Sequence, residues 1–146
     1  LLDTSFIVYV FEHNLDKQLL SFCNSYSVSL SSFTLDELNY IHRRIPSHVK
    51  HKLHHFFHNN PPLTVVAVSV SPGNLDAEKL FVSSIDNELL SLIPDTSDAV
   101  LLASAVDIHA NILTRDKHHL FTTHLENYLE KKHLKVYNNF PAIGDL

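Results

Sequence analysis

Residues 97–116 read SDAVLLASAVDIHANILTRD, and this stretch decides the fold class. Asp98 opens a run in which Ala99, Val100, Leu101, Leu102, Ala103, Ala105 and Val106 leave almost no polar face. A helix of that composition is buried on all sides rather than turned to solvent on one. The spacing predicts that helix over 97–110 and a short strand over 111–114, ending in Thr114-Arg115-Asp116. Outward to the C terminus, 116–132 reads as a charged helix and 134–137 as a last strand. Outward to the N terminus, Pro94 stops a helix over 75–92. Residues 63–70 (LTVVAVSV) are the clearest strand, rich in valine between Pro61-Pro62 and Pro72-Gly73. A helix over 47–58 follows Pro46, and 34–44 places Leu35, Leu38, Ile41 and Ile45 on one stripe. Residues 27–31 alternate Val28 and Leu30 with serines, as a strand does. Residues 5–13 and 15–24 read as helices interrupted near Asn14, and 1–3 as a short strand closing on an acid. Strands alternating with helices predict an α/β fold with a mostly parallel sheet of four to five strands. No repeat, low-complexity tract or linker divides the chain, so 1–146 reads as one domain.

Composition removes several function classes. With 45% hydrophobic and 18% charged residues, the 146-residue chain has the means to bury a core. A formal net charge of −5 argues against an evenly spread basic coat for nucleic acid, while a local basic patch stays compatible with it. Only Gly73 and Gly144 are glycine, which excludes G-x-G-x-x-G, a Walker A loop and G-x-S-x-G. Cys23 is the single cysteine, so an internal disulfide and a cysteine-based zinc site are excluded. No apolar run reaches the length of a membrane span, and neither a signal peptide nor an N-x-Ser/Thr site is present. The expectation is a cytoplasmic, soluble protein.

In a parallel α/β sheet, ligands bind where strands end and the following helices begin. Four acids fall at such places: Asp3 ends the first strand, Glu37 and Asp98 lie in first helical turns, and Asp116 follows the strand over 111–114. Each also has a local explanation. Thr34-Leu35-Asp36-Glu37 has the form of a capping box. Asp98 complements a helix macrodipole, and Asp3 and Asp116 suit N-caps. Together they argue for more, because four packed carboxylates repel and their burial costs several kcal/mol unless something compensates. Arg115 is the one basic residue at those strand ends. A hard divalent cation, Mg²⁺ or Mn²⁺, is the natural partner for such an oxygen-rich set.

At these residues the chain resembles the PIN-domain nucleases, including the ribonuclease toxins of toxin–antitoxin pairs. The resemblance lies in Leu1-Leu2-Asp3-Thr4-Ser5, in Thr34-Leu35-Asp36-Glu37-Leu38, and in the run from Ser97-Asp98 to Thr114-Arg115-Asp116. In order and spacing it spans nearly the whole chain, and the last block is its most specific part. It implies a PIN-like three-layer α/β/α fold and a Mg²⁺- or Mn²⁺-dependent endoribonuclease. The family's catalytic, metal-binding acids carry over to Asp3, Glu37, Asp98 and Asp116, with Ser5 and Thr114 as supporting polar groups. It further implies an RNA substrate, an antitoxin protein as partner where the relative is a toxin, and a homodimer. Many relatives carry another acid or an aromatic shortly after the last motif acid, where this chain has His119 and Leu120.

A carboxylate-held cation supplies Lewis acidity and a lowered water pKa, which is what phosphodiester hydrolysis requires. Arg43, Arg44, Lys50, Lys52, Arg115 and Lys117 are candidate contacts to the RNA backbone, or simply a solvated surface. Phe6, Val10, Phe11, Phe56 and Phe57 are candidates for an exposed apolar interface. His48, His51, His54, His55 and His58 crowd one helix. Their i, i+4 pairs can chelate zinc, but no recognised motif completes them, and a surface face that charges below about pH 6.5 explains them better. Two other readings compete. A phospho-accepting receiver domain also gathers acids at a sheet edge, yet no adjacent acid pair follows the first strand here. A PIN-like module that binds RNA or protein without catalysis would act without a metal.

Overall fold

In a computed structural model, which describes residues 1–41, 43–116 and 120–141, the chain first turns at Asn14. Its φ of 57° is left-handed, a conformation asparagine tolerates better than most residues. That turn separates α1 (Thr4–Glu12) from α2 (Asp16–Ser25), as the sequence predicts. The alternating serines form β1 (Val28–Ser31), which runs directly into α3 (Ser32–Ile41). Then follow α4 (Ser47–His58), β2 (Leu63–Val66), α5 (Leu75–Ile85) and α6 (Glu88–Leu92). The chain ends in α7 (Thr96–Ile108), β3 (Ile112–Leu113), α8 (Thr123–Lys131) and β4 (Val136–Tyr137).

The fold is α/β, and its named strands form two parallel pairs, β1 with β2 and β3 with β4. Residues 1–3 touch both pairs. The Leu2 amide donates to the Ser29 carbonyl (2.8 Å), and the Asp3 amide donates to the Leu113 carbonyl (2.9 Å). Leu2 and Leu113 form a parallel bridge. The first strand of the sequence reading is therefore a hydrogen-bonded segment rather than a regular strand.

Three element boundaries differ most from the sequence reading, and α3 also begins two residues before 34, which puts Glu37 in its second turn. The strand over 63–70 stops at Val66 because its partner β1 stops at Ser31, where α3 begins. Val68 instead donates its amide to the Ser32 hydroxyl (2.9 Å). The helix over 75–92 breaks at Asp86, whose extended backbone ends α5 and whose carboxylate accepts the Glu88 amide (3.0 Å), starting α6. The charged helix over 116–132 begins only at Thr123, with the Thr122 hydroxyl accepting the Leu125 amide. Lys117 and His119 lie outside the described residues, whereas Leu120 is buried.

Two apolar clusters carry the fold. One surrounds α7, whose Val100, Leu102 and Ala103 are fully buried among Val82, Leu89, Leu125 and Leu129. The other surrounds α1 and joins Phe6, Val10 and Phe11 to Leu19, Leu30, Val49 and Phe56. This corrects the expected apolar interface. Phe6, Val10, Phe11 and Phe56 are core residues and Phe57 is half-buried, because α2, α3 and α4 all pack on α1. The exposed large apolar side chains are Leu20, Tyr40, Val65, Leu75 and Leu80. Among the described residues, no helix is long and apolar enough to cross a membrane.

Candidate active site

Asp3 sits at the N-cap position of α1 without capping it by its side chain. Its Oδ2 accepts hydrogen bonds from the Ser5 hydroxyl (2.7 Å) and the Thr114 hydroxyl (2.6 Å). Each hydroxyl in turn accepts a backbone amide: Ser5 from Arg115 (3.0 Å) and Thr114 from Asp116 (3.1 Å). The two hydroxyls therefore tie the start of the chain to residues 114–116, although the two parts are more than a hundred residues apart in sequence.

Glu37 does not close a capping box. The Ser31 hydroxyl accepts the Thr34 amide (3.0 Å), and Glu37 Oε1 accepts the Thr4 hydroxyl (2.9 Å). Asp98 does not cap α7 either, since Asp95 accepts the amides of Ser97 (2.9 Å) and Asp98 (3.2 Å). With the caps supplied by other residues, the four predicted acids Asp3, Glu37, Asp98 and Asp116 all line one groove of about 510 Å³.

Burial first, and neighbouring charge second, raise the proton affinities of Asp3, Glu37 and Asp98. Asp3, 8% exposed, is raised by burial against the opposing pull of its Thr114 and Ser5 hydrogen bonds, with the Asp116 charge adding to the rise. Glu37 is pushed up to about 7, by burial first and then by the charges of Asp3, Asp95 and Glu78, while the Thr4 bond opposes the shift. Asp98 is also raised, by burial and then by the charges of Asp116, Asp95 and Asp3; a hydrogen bond with Asp116 links the two side chains. Arg115, which also lines the groove, is engaged at its wall. Its Cζ lies 4.0 Å from the Tyr9 ring centroid, and its Nη1 donates to the Asn138 carbonyl (2.7 Å).

Two acids that the sequence reading passed over belong to the same field. Asp95 caps α7 and raises both Glu37 and Asp98. Glu78 is 2% exposed; its Oε1 accepts the Thr96 hydroxyl (3.4 Å), and its Oε2 has no hydrogen-bond partner among the described residues. Burial raises its pKa. The signal was present in α5, where Glu78 falls on the buried stripe with Val82.

Among the described residues, no three His, Cys, Asp or Glu side chains are gathered closely enough to hold a metal ion as they stand. The donor chemistry nevertheless suits a hard cation. All four acids are oxygen donors, neighbouring acids add to the burial that raises Asp3, Glu37 and Asp98, and Mg²⁺ is commonly held by one or two carboxylates with waters and substrate phosphates. Residues Asp98 and Asp116, already in contact, are the pair that meets this minimum.

The hydroxyl of Thr114 is open to a direct test. Thr114→Val removes one of the two side-chain donors to Asp3 and leaves the Asp116 amide without its acceptor, so urea unfolding should show a loss of about 1–3 kcal/mol. An unchanged midpoint would mean that the tie between the chain start and residues 114–116 contributes nothing.

Comparison of the chain with family models, with curated proteins and with solved structures finds no significant match.

Proposed function

We propose that the chain is a Mg²⁺- or Mn²⁺-dependent endoribonuclease with a PIN-like fold, and that Asp3, Glu37, Asp98 and Asp116 form its catalytic and metal-binding set. The observation that carries this reading is the meeting of four carboxylates, drawn from four separate parts of the chain, in one groove. Side-chain capping does not explain them: Ser31 and Asp95 accept the amides at α3 and α7, and Asp3, at the N-cap of α1, makes no side-chain cap bond. The hydrogen-bonded order β2, β1, residues 1–3, β3, β4 supports the mostly parallel sheet of four to five strands that the sequence predicts.

A divalent cation, when bound, supplies Lewis acidity at the phosphate and lowers the pKa of water. The chain's residues do the remaining work. Asp3, Asp98 and Asp116 provide oxygen donors, and the Ser5 and Thr114 hydroxyls fix the orientation of Asp3 through Oδ2. Glu37, raised to about 7 and held at Oε1 by Thr4, is suited to exchange a proton with water near neutral pH. Arg115, fixed over Tyr9 at the groove wall, offers positive charge to a backbone phosphate that the acids alone would repel.

Within this reading the chain works in the cytoplasm as a homodimer, either as the toxin of a toxin–antitoxin pair with an antitoxin protein as partner or as a stand-alone processing enzyme. The test is cleavage of single-stranded or loop RNA by the purified chain, with millimolar Mn²⁺ and with EDTA. Cleavage that requires the ion is expected. Cleavage untouched by EDTA would reject the mechanism, and RNA binding without cleavage in Mn²⁺ would favour the non-catalytic binding module.

A further inference from the structure

Between Glu37 and Asp76 the chain contains no acidic residue, although it has 16 acids in all. The same span holds Arg43, Arg44, Lys50 and Lys52, and within it lies α4, the helix with five histidines. Val49 and Phe56 of α4 are buried in the cluster around α1. At about 100° per residue, the opposite side of the helix carries His48, His51, His54, His55 and His58 in one arc, and all five are exposed. Lys50 and Lys52 border that arc on its two sides. Arg43 and Arg44, both exposed, follow closely on Ile41, which lines the carboxylate groove. Arg43 and Arg44 thus lie along the chain between the groove-lining Ile41 and α4.

Details of the arc suit a nucleic-acid strand. The rings of His54 and His58 are parallel to within 13°, with centroids 6.0 Å apart. Flat rings of this kind accept stacked bases, and imidazolium ions pair with phosphate. The charged and titratable groups on the elements packed nearby are few. They are Tyr9 and Glu12 on α1, His13 just after it, and Asp16 and Lys17 on α2. Asp16 and Lys17 share a pocket with Lys52 and His55, and Lys52 donates to Asn14.

We propose that the outward face of α4, together with Arg43 and Arg44, docks the phosphate backbone of single-stranded RNA. The proposal rests on the nuclease reading for its choice of RNA. It places the backbone on a surface separate from the carboxylates, which offsets the repulsion those carboxylates exert on the strand.

The experiment measures fluorescence anisotropy of a labelled oligouridine with the full chain, in EDTA so that no metal-dependent cleavage or metal bridging occurs. Substituting the five α4 histidines by Gln should weaken wild-type binding about fivefold or more. Arg43→Gln with Arg44→Gln should weaken binding and lower the salt slope by about 0.7 for each phosphate no longer neutralised. RNA should also protect the histidines of the wild-type chain from diethylpyrocarbonate, a readout that needs no variant. Wild-type affinity in both variants, or α4 histidines left unprotected by RNA, would overturn the proposal. So would binding to phosphatidylserine vesicles without binding to RNA. The two readings fail separately. If Asp98→Asn cleaves RNA normally, the active-site assignment falls while the α4 surface stands. If the histidine and arginine variants bind normally while Asp98→Asn is inactive, the surface falls alone.

Discussion

Asp98→Asn is expected to lower Mn²⁺-dependent RNA cleavage by about a thousandfold or more while the fold persists, since a metal centre supplies several kcal/mol of transition-state stabilisation and each 1.36 kcal/mol is a factor of ten. The substitution preserves side-chain size and removes one of the two carboxylates already in contact, Asp98 and Asp116. With that pair halved, the remaining acids hold a cation poorly. The fold does not depend on the Asp98 carboxylate, because Asp95 caps α7 and the apolar residues of the helix are buried regardless. Asp116→Asn should behave alike. Cleavage by Asp98→Asn at the wild-type rate would remove this residue from the mechanism.

The metal-free protein should lose stability as pH rises through neutrality. Glu37 is raised from an ordinary 4.5 to about 7, and Asp98 and Asp3 are raised as well. Between the unfolded and folded values the native state therefore holds more protons than the unfolded chain, so the stability is complete at acid pH, below the unfolded values, and is lost as pH climbs through the folded ones. In EDTA, Tm should be several degrees lower near pH 8 than near pH 5. Millimolar Mn²⁺ should reverse the trend, because it binds the deprotonated carboxylates of the folded state and stabilises it by about 2.7 kcal/mol at a hundredfold excess over Kd. Near pH 8 the metal-free Asp98→Asn protein should melt at or above the wild type, since it lacks one repelling charge, and it should miss most of the Mn²⁺ shift. The opposite pattern, a destabilised variant beside a wild type indifferent to Mn²⁺, would mean that the acids do not act as one site.

Local composition carried much of this structure. The buried α7 is legible because residues 99–106 have almost no polar face, and the turn at Asn14 because that residue accepts a left-handed backbone. Features that depend on distant partners were not legible. The valine run after Pro62 has strand character throughout, yet only the part opposite β1 pairs. Phe6 and Phe11 look like a surface patch until α2, α3 and α4 are seen to cover α1. The acids show the same division. The places of Asp3 and Asp98 were visible, but Glu37 falls in the second turn of α3 rather than the first, because the helix begins at Ser32; Thr34-Leu35-Asp36-Glu37 has the letters of a capping box, and only the tertiary contact to Thr4 shows that Glu37 is used otherwise. Glu78 escaped notice because a single acid on an apolar stripe means little until its burial is known.

The central claim is that Asp3, Glu37, Asp98 and Asp116 together hold a divalent cation, and Mn²⁺ binding followed by electron paramagnetic resonance tests it most directly. Free Mn²⁺ gives a sharp signal that is lost on binding, so a titration of the purified chain reports occupancy without any RNA or activity. The account predicts saturable binding by the wild type near pH 8, weaker binding near pH 5 where the raised carboxylates keep their protons, and loss of most binding in Asp98→Asn. A wild-type chain that leaves millimolar Mn²⁺ free, or an Asp98→Asn chain that binds it equally well, would contradict the claim.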